Sequence, residues 1–219
     1  MLHGYLSSKE SFTAQIEYFS SFYRVTAIDL LGFGQSAKLK EPFSVDDYAR
    51  WTKVVFSLLG IKKPHVIAHS FGVRVAVKMA KCDGQVFDKM LLTGPAGVIL
   101  PRGIKYKIKV KAYRFFKKIA PKFAEQRFGS AEYRTLSPVM KESYKKIVNE
   151  DLRSCAREVR NEVLIVEGEE DTVTTMAEAQ AYLACFPNGK LKTTAGGHFA
   201  FAERPTPFNL IAEEFFAYG

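Results

Sequence analysis

Val66-Ile67-Ala68-His69-Ser70-Phe71-Gly72-Val73-Arg74-Val75-Ala76 is the stretch whose reading decides the fold. The apolar run Val66, Ile67, Ala68 suits a buried parallel strand, expected over His65 to His69. A helix is expected from Phe71 onward. Neither Pro nor Asn supplies an ordinary turn between the two. Small residues sit two before and two after the serine, at Ala68 and Gly72. A sharp strand-to-helix turn needs them there, because the two backbones nearly touch. Such a turn holds Ser70 strained, with its oxygen exposed above the sheet. The pattern is close to G-x-S-x-G, with Ala68 in the place of the first glycine. A serine between small residues also serves as an ordinary helix N-cap, so the rest of the chain must choose.

The 219 residues suit one domain, with room for an insertion, and 47% hydrophobic content supports a sizeable core. No apolar run is long enough for a transmembrane helix. The start, Met1-Leu2-His3-Gly4-Tyr5, has neither the basic region nor the apolar core of a signal peptide. Cys82, Cys155 and Cys185 are odd in number, far apart and without a C-x-x-C pair. They point to reduced thiols in a cytoplasm, and away from a disulfide framework or a zinc site. His3, His65, His69 and His198 show no metal-ligand spacing. The net charge of +9 belongs to one segment. Residues 101–124 carry nine basic residues and no acidic one, and the remainder balances at 23 of each.

Further strands are expected at 24–30, 89–93, 163–166 and 191–194. Helices are expected from Ser8 or Ser11 to Phe19, from Ser44 to Leu59, from Met176 to Cys185 and from Pro207 to Tyr218. Ser44 is the N-cap of the second of these, with Asp46 and Asp47 in its first turn and Gly60 as its stop. Asp29-Leu-Leu-Gly32-Phe-Gly34-Gln-Ser36 superficially resembles a phosphate loop. It lacks the third glycine and an immediate helix, so it reads as a structural turn. Strands alternating with helices predict an α/β fold, a mostly parallel sheet with helices on both faces. Residues 99–157 interrupt the alternation. Ile104, Ile108, Phe115 and Ile119 share a helical face there, although 104–111 also alternates with period two.

In parallel α/β sheets, chemistry sits beyond the C-terminal ends of the strands. Ser70, Asp171 and His198 each follow such an end. A serine hydroxyl needs a base to take its proton. A histidine can do so near neutral pH, and a carboxylate fixes its tautomer. Taken singly, Asp171 could be a turn cap and His198 a surface residue. The order Ser, Asp, His favours the joint reading.

With His3-Gly4, Asp29-x-x-Gly32-x-Gly34-x-Ser36, the turn at Ser70, Gly168-x-x-Asp171 and Gly196-Gly197-His198, the chain resembles the α/β-hydrolase family over nearly its whole length. The resemblance implies Ser70 as nucleophile, His198 as base and Asp171 as its orienter. It implies oxyanion donors at the backbone N–H groups of Tyr5 and Phe71. It also implies a core of residues 1–98 and 158–219, with 99–157 as a helical cap. A serine rather than an aspartate at position 70 argues against the dehalogenase branch.

The expected activity is that of a serine hydrolase on a small ester or related acyl bond. It needs no cofactor and no metal, and it acts on a small molecule rather than on nucleic acid. The alternatives are carbon–carbon bond hydrolysis on the same fold, and an inactive binding protein. The cap lysines read either as a solvated helix face or as a lure for an acidic substrate or an anionic membrane surface. Arg74 is expected to be a structural ion-pair partner, with a substrate carboxylate as the alternative. Family members carry two or three strands before His-Gly, whereas two residues precede it here. The strand ending at His3 should lie between 24–30 and 65–69. Losing its buried side chains and pairing would cost on the order of 5–10 kcal/mol. The expectation is therefore an N-terminally truncated form, or else closure of the gap by its neighbours or by a second chain.

Overall fold

The computed structural model describes residues 1–100, 133 and 135–218. Four strands form one parallel sheet in the order of the sequence: β1 Val66–His69, β2 Lys89–Thr93, β3 Glu162–Gly168 and β4 Gly189–Thr194. Around them lie α1 Thr13–Phe19, α2 Val45–Leu58, α3 Phe71–Cys82, α4 Pro138–Val148, α5 Arg153–Ala156, α6 Met176–Leu183, α7 Ala200–Glu203 and α8 Pro205–Tyr218.

Both sheet faces are covered, and the alternation along the strands shows how. Val66, Ala68, Met90, Leu92, Val163 and Ile165 enter one core with the inner faces of α2, α3, α4 and α6. Ile67, Leu91, Leu164 and Val166 enter a second core with Phe12, Phe19, Phe201, Phe208, Phe215 and Phe216. A strand buried on both faces must be apolar at every position, as the runs in β1, β2 and β3 are. β4 is the outer strand, and exposed Lys192 marks its outer face, a charge that discourages pairing with another sheet.

Capping follows the sequence at α2. Ser44 accepts the Asp47 N–H, while the Asp47 carboxylate accepts from Ser44 N at 2.7 Å. The Asp29 loop is a structural turn. The Asp29 carboxylate takes the N–H of Lys9 (2.7 Å), the Lys9 ammonium (2.8 Å) and the N–H of Gln35 (3.0 Å).

Two expectations need correction. Residues 24–30 form no ladder strand. Ile28 makes one isolated parallel bridge, to Leu2, which also bridges Ala68 of β1. Leu2 is the one described residue that bridges this segment, so no ladder forms there. The central position expected for His3 is nevertheless right, because Leu2 sits fully buried between the two segments. Its neighbours do not close on each other: a cavity of about 300 Å3 lies between Arg24–Ile28 and Pro64–Ile67, beside Met1. Secondly, the first expected helix is split into a 3-10 turn, Lys9–Phe12, and α1. From the segment expected as the cap, Met140, Ile147, Leu152 and Ala156 pack into the first core cluster. The helix expected over 104–119 and the basic run 101–124 lie outside the described residues. Among the described residues no helix is long and apolar enough to cross a membrane. Cys82, Cys155 and Cys185 are free thiols.

Candidate active site

β1 ends at His69, and the chain turns at once into α3. Ser70 sits at the corner with φ 49° and ψ −105°, a conformation that a residue with a Cβ adopts only under constraint. The constraint comes from both sides. Ser70 N donates to the Thr93 carbonyl of β2 at 3.0 Å. At Gly72, any Cβ would overlap the backbone carbonyl of Leu2. The second small residue of the motif is there because α3 starts against the Leu2–His3 backbone. Gly4 approaches from the other side, and a Cβ on it would press into the His69 ring.

Asp171 and His198 are brought together from the ends of β3 and β4. The N–H groups of Glu169 and Glu170 donate to the carbonyls of Thr194 and Gly196, tying the two loops. Asp171 Oδ2 and His198 Nδ1 lie 2.7 Å apart. The other carboxylate oxygen accepts the N–H of Val173 (2.7 Å) and of Thr174 (3.0 Å), and the Thr174 hydroxyl donates to Oδ2 at 2.8 Å. Burial pushes the Asp171 carboxyl up, but His198 and the donors of Val173 and Thr174 outweigh it and hold the pKa down to about 2. A carboxylate so held fixes the imidazole with Nδ1 inward and Nε2 free.

Ser70, His198 and Phe71 line one cavity of about 480 Å3, together with Tyr5. The Ser70 hydroxyl makes no hydrogen bond to His198 or to any other described residue. Such contacts commonly tighten only around a substrate. Tyr5 follows the close approach of Gly4 to Ser70. Its hydroxyl donates to the Met140 carbonyl at 3.1 Å, and its ring packs edge-on to Phe33 and Phe71. Tyr5 is therefore anchored by its own side chain.

Two supporting residues escaped the sequence reading. His69 is 1% exposed, and burial first, then the His198 charge, lowers its pKa to about 3. As a neutral ring its Nε2 donates to the His198 carbonyl at 2.9 Å, so it orients the loop carrying His198. Its place within the Ser70 motif was the available signal. Glu167, on β3, is fully buried with neither carboxyl oxygen hydrogen-bonded. Burial, then the charge of Asp171, raises its pKa to about 8, so it is largely protonated at neutral pH.

The family model for the alpha/beta hydrolase fold matches residues 1–138. The chain belongs to the alpha/beta hydrolase fold family. It is 31% identical over 127 residues to "Probable lysophospholipase BODYGUARD 3" of Arabidopsis thaliana, a match covering 55% of this chain and 25% of that protein. The chain thus spans about a quarter of that curated relative. An uncharacterized protein of Mycobacterium tuberculosis is 25% identical over 98% of this chain and 74% of its own length. Among solved structures, the alpha/beta hydrolase MGS-M2 from a deep-sea metagenome library of the Medee basin superposes with a TM-score of 0.79. It is 20% identical, over 100% of this chain and 88% of the other. The esterase EaEST of Exiguobacterium antarcticum superposes with a TM-score of 0.78 at 19% identity, over 98% and 90%. At these identities the structures bear on the fold alone.

Proposed function

We propose that this α/β-hydrolase chain is a serine hydrolase that cleaves a small ester or related acyl bond through an acyl-enzyme. The carrying observation is the Asp171–His198 pair at 2.7 Å, with His198 and the strained Ser70 corner on one cavity. Ser70 Oγ bonds to the acyl carbon and its proton passes to His198 Nε2. That proton then goes to the leaving alcohol oxygen as the C–O bond breaks. Water attacks the acyl-enzyme, giving its proton to His198, and Ser70 recovers it on release of the acid. Asp171 stays ionised and stabilises the imidazolium. The N–H groups of Phe71 and Tyr5 receive the developing oxyanion. The steps need no cofactor or metal.

Residues 99–157 act in this reading as the cap. Tyr133, Leu136, Tyr144 and Ile147 on the cavity wall support it. The lysophospholipase name of the Arabidopsis relative is of the same ester-cleaving class. Three free thiols suit a reducing compartment such as the cytoplasm.

Labelling with a fluorophosphonate, read by intact mass, tests the proposal. One adduct is expected on the protein and none on Ser70→Ala, whose kcat on an activated ester falls by ~10⁴–10⁶-fold. An unchanged ester rate in that variant overturns the assignment.

A further inference from the structure

Arg74 lies four residues beyond Ser70 on α3, hence on the same helix face one turn further in. Helix side chains lean toward the N-terminus, so its stem rises toward the Ser70 corner. It is only 6% exposed, yet it lines the same cavity as Ser70 and His198. The ion pair expected for it is not formed. Nη1 donates to the uncharged backbone carbonyl of Glu150 at 2.7 Å. The nearby carboxylates are committed elsewhere. Glu150 is held by Lys78 at 2.6 Å, and Asp151 by Arg153 at 2.9 Å and by the Ile99 N–H at 3.1 Å. Glu150 and Asp151 act on it only through space, without a direct salt bridge; a desolvated guanidinium so placed is costly, and this one has donors beyond Nη1 beside the cavity. It is also the only lysine or arginine among the described residues lining that cavity.

We infer that Arg74 receives a carboxylate of the substrate, so that the esters cleaved at Ser70 are half-esters of dicarboxylic acids. This deepens the serine-hydrolase proposal and rests on it. With Nη1 engaged, the remaining N–H donors of the planar fork suit the two oxygens of one carboxylate. A phosphate dianion would call for a second cation, which no described lining residue supplies. Charge and attachment point are thereby read together: the anion is held at one end of the cavity while the acyl carbon meets Ser70.

The test compares the mono-4-nitrophenyl esters of succinate, glutarate and adipate with the neutral butanoate, pentanoate and hexanoate esters. The protein should favour at least one half-ester over its neutral counterpart by tenfold or more in kcat/KM. Arg74→Gln should lose roughly 10–100-fold on that half-ester, mainly in KM, with less than threefold change on the neutral ester, and Arg74→Lys should recover part of the loss. No preference at any chain length, or an equal loss on both esters, overturns the inference. Fluorophosphonate labelling of all three proteins separates this from the parent proposal: labelled protein without half-ester preference leaves the serine hydrolase standing and removes the role of Arg74. If neither labelling nor turnover occurs, the serine-hydrolase reading fails. Glutarate binding by calorimetry, present in the protein and abolished in Arg74→Gln, then decides whether Arg74 holds a carboxylate.

Discussion

Two cavities stand at opposite ends of the same parallel strands, and they are built differently. The one at the C-terminal ends encloses about 480 Å3 and is walled by Ser70, His198, Arg74 and the Gly4–Tyr5 backbone. The one at the N-terminal ends encloses about 300 Å3 and is walled by apolar Phe19, Val25, Ile28, Phe56, Ile61 and Phe216, with Arg24, Lys62 and Lys63 also on its lining. The first gathers polar groups from three strand ends, each pinned by loop hydrogen bonds. The second is a gap beside Met1, where segment 24–28 and β1 stand apart. Its histidine, His65, is already stacked on Phe216 at 4.9 Å. Volume therefore does not distinguish a site from a packing defect. Convergence of polar groups does, and in a parallel sheet that convergence belongs to the C-terminal ends.

Substitutions at the two ends should divide accordingly. Asp171→Asn should lower kcat by roughly 10³–10⁴-fold by releasing the imidazole tautomer, with the fold retained by circular dichroism. A loss below tenfold would break the contrast, since Asp171 would then be only a turn cap. Gly72→Ala, at the junction of the two regions, should destabilise the protein by about 1–3 kcal/mol in urea, because its Cβ meets the Leu2 carbonyl. Unchanged stability would mean that Leu2 is not held against α3.

Glu167 gives a pH signature beneath the first cavity. Its carboxyl is raised from 4.5 to about 8, so between those values the folded protein holds a proton that the unfolded chain has lost. Its stabilising contribution is full below pH 4.5 and disappears as pH rises through 8. Glu167→Gln should flatten the stability curve between pH 4.5 and 8. Asp171, depressed to about 2, acts in the opposite sense: its contribution is present above pH 4 and fades as pH falls toward 2. Thermal unfolding scanned over pH 2–9 checks both signs. The smallest effect is expected at the second cavity. Val25→Ile should add at most ~0.8 kcal/mol by occupying empty space, with kcat unchanged; a change in activity there would tie the gap to the site.

Much of the architecture was legible because it is encoded locally. Continuous apolar runs marked β1, β2 and β3, Ser44 with Asp47 marked the start of α2, and the small residues around Ser70 marked the strained corner. Asp171 and His198 were legible because each lies a few residues past a strand, where a parallel sheet places its loops. Segment 24–30 misled because its composition is that of a strand, while strand pairing needs a neighbour of matching length. The bond from His69 to the His198 loop spans 129 residues, and the raised carboxyl of Glu167 depends on complete burial. Neither leaves a periodic trace.

From the sequence alone came the α/β class, the places of the four ladder strands, and the three candidate site residues. Those follow from short-range rules: periodicity, caps, and steric room at a turn. Only the tertiary structure decided which charges are partnered. It set Asp171 against His198, gave the Glu150 and Asp151 carboxylates to Lys78 and Arg153, and left Arg74 buried on the cavity wall without a direct salt bridge. Ion pairing depends on distances between residues remote in the chain, and on how far water is excluded from them, and neither quantity is written in local sequence.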